Sequence, residues 1–251
     1  MEKLKKILKT IKENKYDFSG HNVYELTHRL IEDIGCLDGE VRDMLLYPVL
    51  AHLLHDDVLL EEQLEDVTTL LISKEYLFFD INNEKEFSVL TRSFTLLQLA
   101  IIVYKYNNDK IITEKLFKEL VTQFTLYLEK ETDYRGFVKK VGWCHSIAHS
   151  ADLFKQLSRN DSISIDEYKK MLNLFKDIFK VKHYQFIHDE DERFVTALEE
   201  LIKRNIFDQG FWIDYISSFK DFDKGDLYPE AYNILFNMKK LVRSIYFRFL
   251  D

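Results

Sequence analysis

Glycine and proline are scarce, seven and two among 251 residues. A sheet-rich fold needs a turn residue roughly every ten positions, whereas helical hairpins do not, so the scarcity points to an all-α chain. Cysteine is equally rare. Cys36 and Cys144 lie far apart and match no zinc spacing, so free thiols in a reducing cytoplasm are expected. Long apolar runs are missing as well. The longest, around Leu96 to Tyr104, is too short to span a bilayer and is interrupted by Gln98. The N-terminus begins basic but has no continuous apolar core, so it does not read as a signal peptide. An excess of basic charge is also lacking. The net charge is −8, which argues against a nucleic-acid surface, since that needs a clustered basic face.

What the chain does have is 46% hydrophobic and 31% charged residues, the balance of a soluble globular protein with a substantial core. Its 20 phenylalanines and 14 tyrosines fall at helical spacing and read as core. Leu4, Ile7, Leu8 and Ile11 mark a short amphipathic helix within 1–15, an accessory element expected to dock on the first hairpin. Asn22 is placed to cap a helix ending near Ile34, and Asp38 caps the next, which carries Pro48 inside its pattern. A proline there removes a donor and kinks the helix. Further helices are predicted from about Leu60 to Ser73, Glu86 to Tyr106 and Thr113 to Lys130. Others run from Ser164 to Val181 with a Ser164–Glu167 capping box, and from Asp189 to Arg204. The last two start from Asp208 and from Pro229. The linker before the long helix contains Asp80, Asn82 and Asn83.

Hairpins therefore begin near 22, 59, 113, 164 and 208. That spacing is close to the roughly 40–47 residues of HEAT and armadillo repeats, but no signature repeats between units. The expected architecture is an irregular HEAT/armadillo-like α-solenoid of about five hairpins, one domain over 1–251, since no linker is long or polar enough to divide it.

Chemistry concentrates between Asp133 and Asp152. At about 100° per residue, His145, Ala148, His149, Asp152, Gln156 and Arg159 share one side of a helix. Trp143, Ile147, Phe154 and Leu157 fall near the other side, so the histidines and Asp152 form a polar stripe away from the core. Solenoids use such a concave face for binding. Three uses fit. In the first, His145 and His149 hold a divalent metal such as zinc. The rise of about 10.5 Å from His145 to Asp152 is too long for a shared ion, so Asp152 would orient His149 from behind. Further ligands would come from His55, Asp56, Asp57, His188, Asp189 or Glu190. In the second, Arg135 and Arg92, with Trp143 and Asp133, bind a small anionic ligand. His145, His149 or Asp152 would then be catalytic, as in a hydrolase, because imidazole titrates near neutrality. In the third, the stripe is a solvated face of a non-catalytic scaffold that binds a protein or peptide. The acidic runs at 55–57 and 188–192 read more simply as helix-terminal charge.

Two resemblances bear on these readings. His28 followed by His55-Asp56, with Asp109 as a closing aspartate, resembles the metal pattern of HD-domain phosphohydrolases. A longer pattern is Asp133-x-Arg135-Gly136 followed by Gly142-Trp143-x-His145-x-x-Ala148-His149-x-Ala151-Asp152. It resembles the signature of an uncharacterised bacterial group, the domain-of-unknown-function family 2785. Tyr47-Pro48, Thr91-Arg92-Ser93-Phe94 and Asp191-Glu192-Arg193 also resemble that family, so the likeness runs from about Ile34 to Phe219. Cys144 and Ser146 stand where smaller or more apolar residues are expected. The resemblance implies a soluble helical protein of similar length, with no activity attached to it. His28 and His55 lie outside the signature, which weighs against the HD-domain pattern.

Overall fold

The computed structural model describes residues 2–81, 85–222 and 230–250. Asn82, Asn83 and Pro229 lie outside them. The described chain is mostly helical. Helix α1 is Glu2–Glu13, α2 Val23–Glu32 and α3 Gly39–Val41, which continues through a π-helical turn, Arg42–Leu46, into α4, Tyr47–His55. There follow α5 Glu61–Leu71, α6 Val89–Asp109 and α7 Glu114–Lys130. Two-residue strands β1 Phe137–Val138 and β2 Gly142–Trp143 pair antiparallel. Then come α8 Ser146–Leu157, α9 Ile165–Phe179, α10 Glu190–Lys203, α11 Gln209–Ser217 and α12 Glu230–Arg248. Among the described residues no helix is long and apolar enough to cross a membrane.

The helix starts follow local chemistry. Asn22, Asp38, Thr113, Ser164 and Asp208 each accept a backbone N–H of the first turn, which satisfies a donor the helix itself leaves open. Pro48 is accommodated rather than merely kinking its helix. The widened turn precedes it, and it has no N–H to give the Met44 carbonyl four residues back. Lys12 Nζ from α1 donates to that oxygen instead, at 2.9 Å. Leu4, Leu8 and Ile11 are buried, and α1 packs on the π-turn and α4, the docking its spacing predicts.

Packing alternates along the chain. Helix α4 lies against α6, α6 against α8, α8 against α10 and α10 against α12, while α5 packs on α7 and α7 on α9. Second helices of successive hairpins thus make one row and first helices another. One hydrophobic cluster runs from Leu4 in α1 to Ile245 in α12. Helix α8 sits in the middle of its row. Ser146, Ala148, Ser150 and Ala151 are completely buried, and such small side chains let α6 and α10 approach α8 closely from either side.

The helix of the central motif starts later than the wheel from Trp143 onward implies. Residues up to Trp143 form the β-hairpin, and α8 starts only at Ser146. His145 is its N-cap, in the left-handed conformation at φ 48°. The hairpin is tied down by long-range bonds, Cys144 N to Gly136 O at 2.8 Å and His145 N to Arg135 O at 3.1 Å. The stripe is not uniformly solvated either. His145 and His149 are buried, Asp152 and Gln156 half-buried, and only Arg159 is exposed.

Candidate functional site

The loop leading into the motif is held by two arginines. Arg92 Nε and Nη2 make a bidentate pair with Glu131 at 2.8 and 2.9 Å. Its Nη1 donates to Phe79 O and Ser88 Oγ, both at 2.9 Å. Arg135 bonds Asp133 through Nε at 2.8 Å, and its Nη2 donates to Glu86 O at 2.5 Å. Arg92, Arg135 and Asp133 therefore do not border the groove as the sequence suggested. Their hydrogen bonds instead fix the chain between α7 and β1.

The remaining motif residues come together. Trp143, His145, His149 and Asp152 line a cleft of about 570 Å³. Opposite them stand Asp43 and Tyr47 from the first hairpin, Phe94 and Leu97 from α6, and Ile187, His188, Asp189 and Arg193 around the start of α10. Ring centroids lie 4.3 Å apart for Trp143 and His145, 5.7 Å for His145 and His149, and 6.1 Å for His145 and His188. Two residues of the wall, His145 and Asp189, have left-handed backbones with φ of 48° and 64°. Non-glycine residues seldom adopt that region, and when they do it is often at functional sites.

Burial sets the electrostatics. It pushes the His145 imidazole down to about 4, with Arg193 and His188 adding repulsion. Burial also holds His149 well below the ordinary range, reinforced by His145 and Arg193. Both rings are neutral at pH 7. His149 Nδ1 lies 3.0 Å from Ser93 O. A carbonyl only accepts, so Nδ1 carries the proton and Nε2 is a bare acceptor. The expected role of Asp152 is thereby corrected. Ser93 O orients His149, and Asp152 accepts instead from Arg193 Nη1. Burial raises the Asp152 carboxyl against the opposing pull of Arg193. Asp43 is raised by burial too, despite its pair with Arg42 Nε at 2.9 Å. Arg42 in turn anchors the β-hairpin through Val141 O at 2.8 Å, and the left-handed Gly142 beside it leaves room for this. A Cβ at Gly142 would stand 3.2 Å from Arg42 Nη2.

Metal chemistry fits less well than the spacing suggested. Among the described residues, no group of three or more His, Cys, Asp or Glu is arranged to hold an ion. The two histidines instead share their cleft with the Arg193 cation. The HD-type residues are engaged locally, His28 with Asp66 at 3.0 Å and His55 with Asp56 at 2.8 Å. Both cysteines are free, and burial pushes the Cys144 thiol up to about 11, so it is not a nucleophile at neutral pH.

Sequence reasoning missed Asp43, Tyr47, Leu97 and the cleft role of Arg193, and counted His188 only as a spare metal donor. One signal was present. Tyr47, Phe94 and Arg193 lie in the three outlying segments that carry the family resemblance, and all three line the cleft. Comparison with curated proteins and with solved structures gives no match. Residues 77–247 match the family described as protein of unknown function (DUF2785), and the chain belongs to that family.

Proposed function

We propose that the cleft binds a small anionic molecule, with Arg193 as its charged anchor and His145 as a neutral imidazole able to take a proton from it. One observation carries this reading. The Arg193 guanidinium lines the cleft and bonds Asp152 through Nη1 alone among the described contacts. Its other N–H groups are left for a ligand, and a planar guanidinium suits an oxyanion. His145 supports a hydrolytic role, because a neutral ring beside the anchor is in the form needed of a general base. The cleft volume lies within the roughly 300–1,000 Å³ of small-molecule sites. The alternating rows of helices and the continuous core support an irregular HEAT/armadillo-like solenoid forming one domain. The two free thiols suit the cytoplasm.

The test is thermal denaturation with millimolar phosphate, sulfate or acetate, for the wild type and Arg193→Gln. A bound anion at a hundred times its Kd stabilises by about 2.7 kcal/mol, a rise of several degrees in the wild type that the variant loses. Equal responses in both proteins would remove Arg193 as the anchor. The runner-up, a scaffold that binds a protein or peptide, draws on Tyr232, Tyr246 and Phe247. They stand exposed on α12 and line no part of the cleft.

A further inference from the structure

The polar atoms facing the cleft are unequally divided between donors and acceptors. Arg193 is the cation among the lining residues. Against it stand the carboxylates of Asp43, Asp152 and Asp189 and the His149 imidazole. His149 Nε2 is fixed as an acceptor by the proton that Nδ1 gives to Ser93 O. His188 also lines the cleft. Its Nδ1 is buried and lies 3.9 Å from the equally buried Glu190 Oε1, and neither atom has a hydrogen-bond partner. Glu190 Oε2 accepts the His188 backbone N–H at 2.8 Å, so the carboxylate is anchored to the residue whose ring it faces. At 3.9 Å the pair is not a hydrogen bond and does not fix which ring nitrogen carries the proton. Gly136 leaves room for the ring, since a Cβ at that position would come within 2.2 Å of His188 Nδ1.

Among the lining groups a bare oxyanion finds donors on Arg193, Tyr47 and Trp143, but it also faces three carboxylates that repel it. An occupant that also brings hydroxyl donors would satisfy both halves. The remaining wall is aromatic. Trp143 is 40% exposed, and its indole is steadied by Phe137 at 4.9 Å and His188 at 5.6 Å. A flat apolar face beside convergent polar groups is suited to the C–H face of a sugar ring. We propose that the occupant is a small polyhydroxylated anion, a sugar acid or a sugar phosphate. Its charged group meets Arg193, its hydroxyls donate to His149 and the carboxylates, and its ring lies on Trp143. This rests on the anionic reading of the cleft and narrows it.

Isothermal titration of the full chain with D-glucuronate, D-glucose 6-phosphate, D-glucose, acetate and inorganic phosphate tests it. The expected result is that at least one sugar anion binds tenfold or more tighter than its hydroxyl-free counterpart, with glucose silent. Which sugar anion wins identifies the charged group. Acetate or phosphate binding as tightly as the sugar anions overturns the hydroxyl requirement and leaves the anion site standing. Glucose binding as tightly overturns the anionic reading itself, and silence from all five overturns both. Trp143→Ala, at an exposed position, should weaken the sugar anion about tenfold and leave inorganic phosphate unchanged. Equal loss for both removes the aromatic platform.

Discussion

At Arg92 each guanidinium nitrogen is spent, on Glu131, Phe79 O and Ser88 Oγ. Glu131 is shared in turn with Tyr127, whose hydroxyl donates to it at 2.6 Å, and both members of the ion pair are buried. Removing one partner of a buried pair strands the other charge and costs about 3–5 kcal/mol. Arg92→Met is therefore expected to lose that much stability in urea unfolding while anion binding to its folded fraction is unchanged. A loss of binding without loss of stability would return Arg92 to the site. The contrast with Arg193 shows what was legible at this scale. The sequence displays a charge and a helical face, but whether a carboxylate lies opposite is decided by residues far away, 39 positions for Arg92 and 41 for Arg193. His149 could be placed on the right helix for the same reason that its partner, a backbone carbonyl on α6, could not be named.

Helix starts are legible where the cap is local. The Ser164–Glu167 box forms as its spacing predicts, Glu167 Oε2 accepting from Ser164 N at 2.9 Å and Ser164 Oγ from Glu167 N at 3.3 Å. Ser164→Ala should cost about 1 kcal/mol. For a chain of this size that lowers Tm by roughly 2–4 °C, readable by circular dichroism, with no change at the cleft. An unchanged Tm would mean that packing of Tyr168 and Met171, both fully buried, holds α9 without its cap. The starts of α8 and α10 are of another kind. Neither His145 nor Asp189 caps through its side chain, and both are left-handed. For α8 the cause is the β-hairpin, closed by bonds back to Arg135 and Gly136. A two-residue strand pair leaves no period-two pattern to read. The helical wheel therefore puts Trp143 on the core side of the motif helix, whereas it stands in the hairpin and lines the cleft.

Across the whole molecule the two rows of helices bring segments from the first hairpin, α6, α8 and α10 to one cleft, and the burial that results couples the site to stability. His145 and His149 have folded pKa values below their unfolded ones, so the native state favours their neutral forms. Their contribution is fully present above about pH 6.5 and is lost as pH falls towards the folded value, about 4 for His145. Between pH 7 and pH 5 the unfolded ring gains a proton and the folded one does not, which costs about 2 kcal/mol for His145. His149 adds a loss in the same direction. Asp43, Asp152 and Glu190 are raised by burial and act oppositely, favouring the folded state as pH falls. The net curve is thus a sum of opposed contributions, and the wild type alone cannot apportion it. The difference between two proteins can. Asn tolerates the left-handed backbone, so His145→Asn keeps the conformation at φ 48° and removes only the titrating ring. Urea unfolding at pH 7 and pH 5 should show a pH-dependent loss about 2 kcal/mol smaller in the variant. The same loss in both proteins would mean that the His145 ring titrates alike in the folded and unfolded chain, and that burial does not hold it neutral at pH 5.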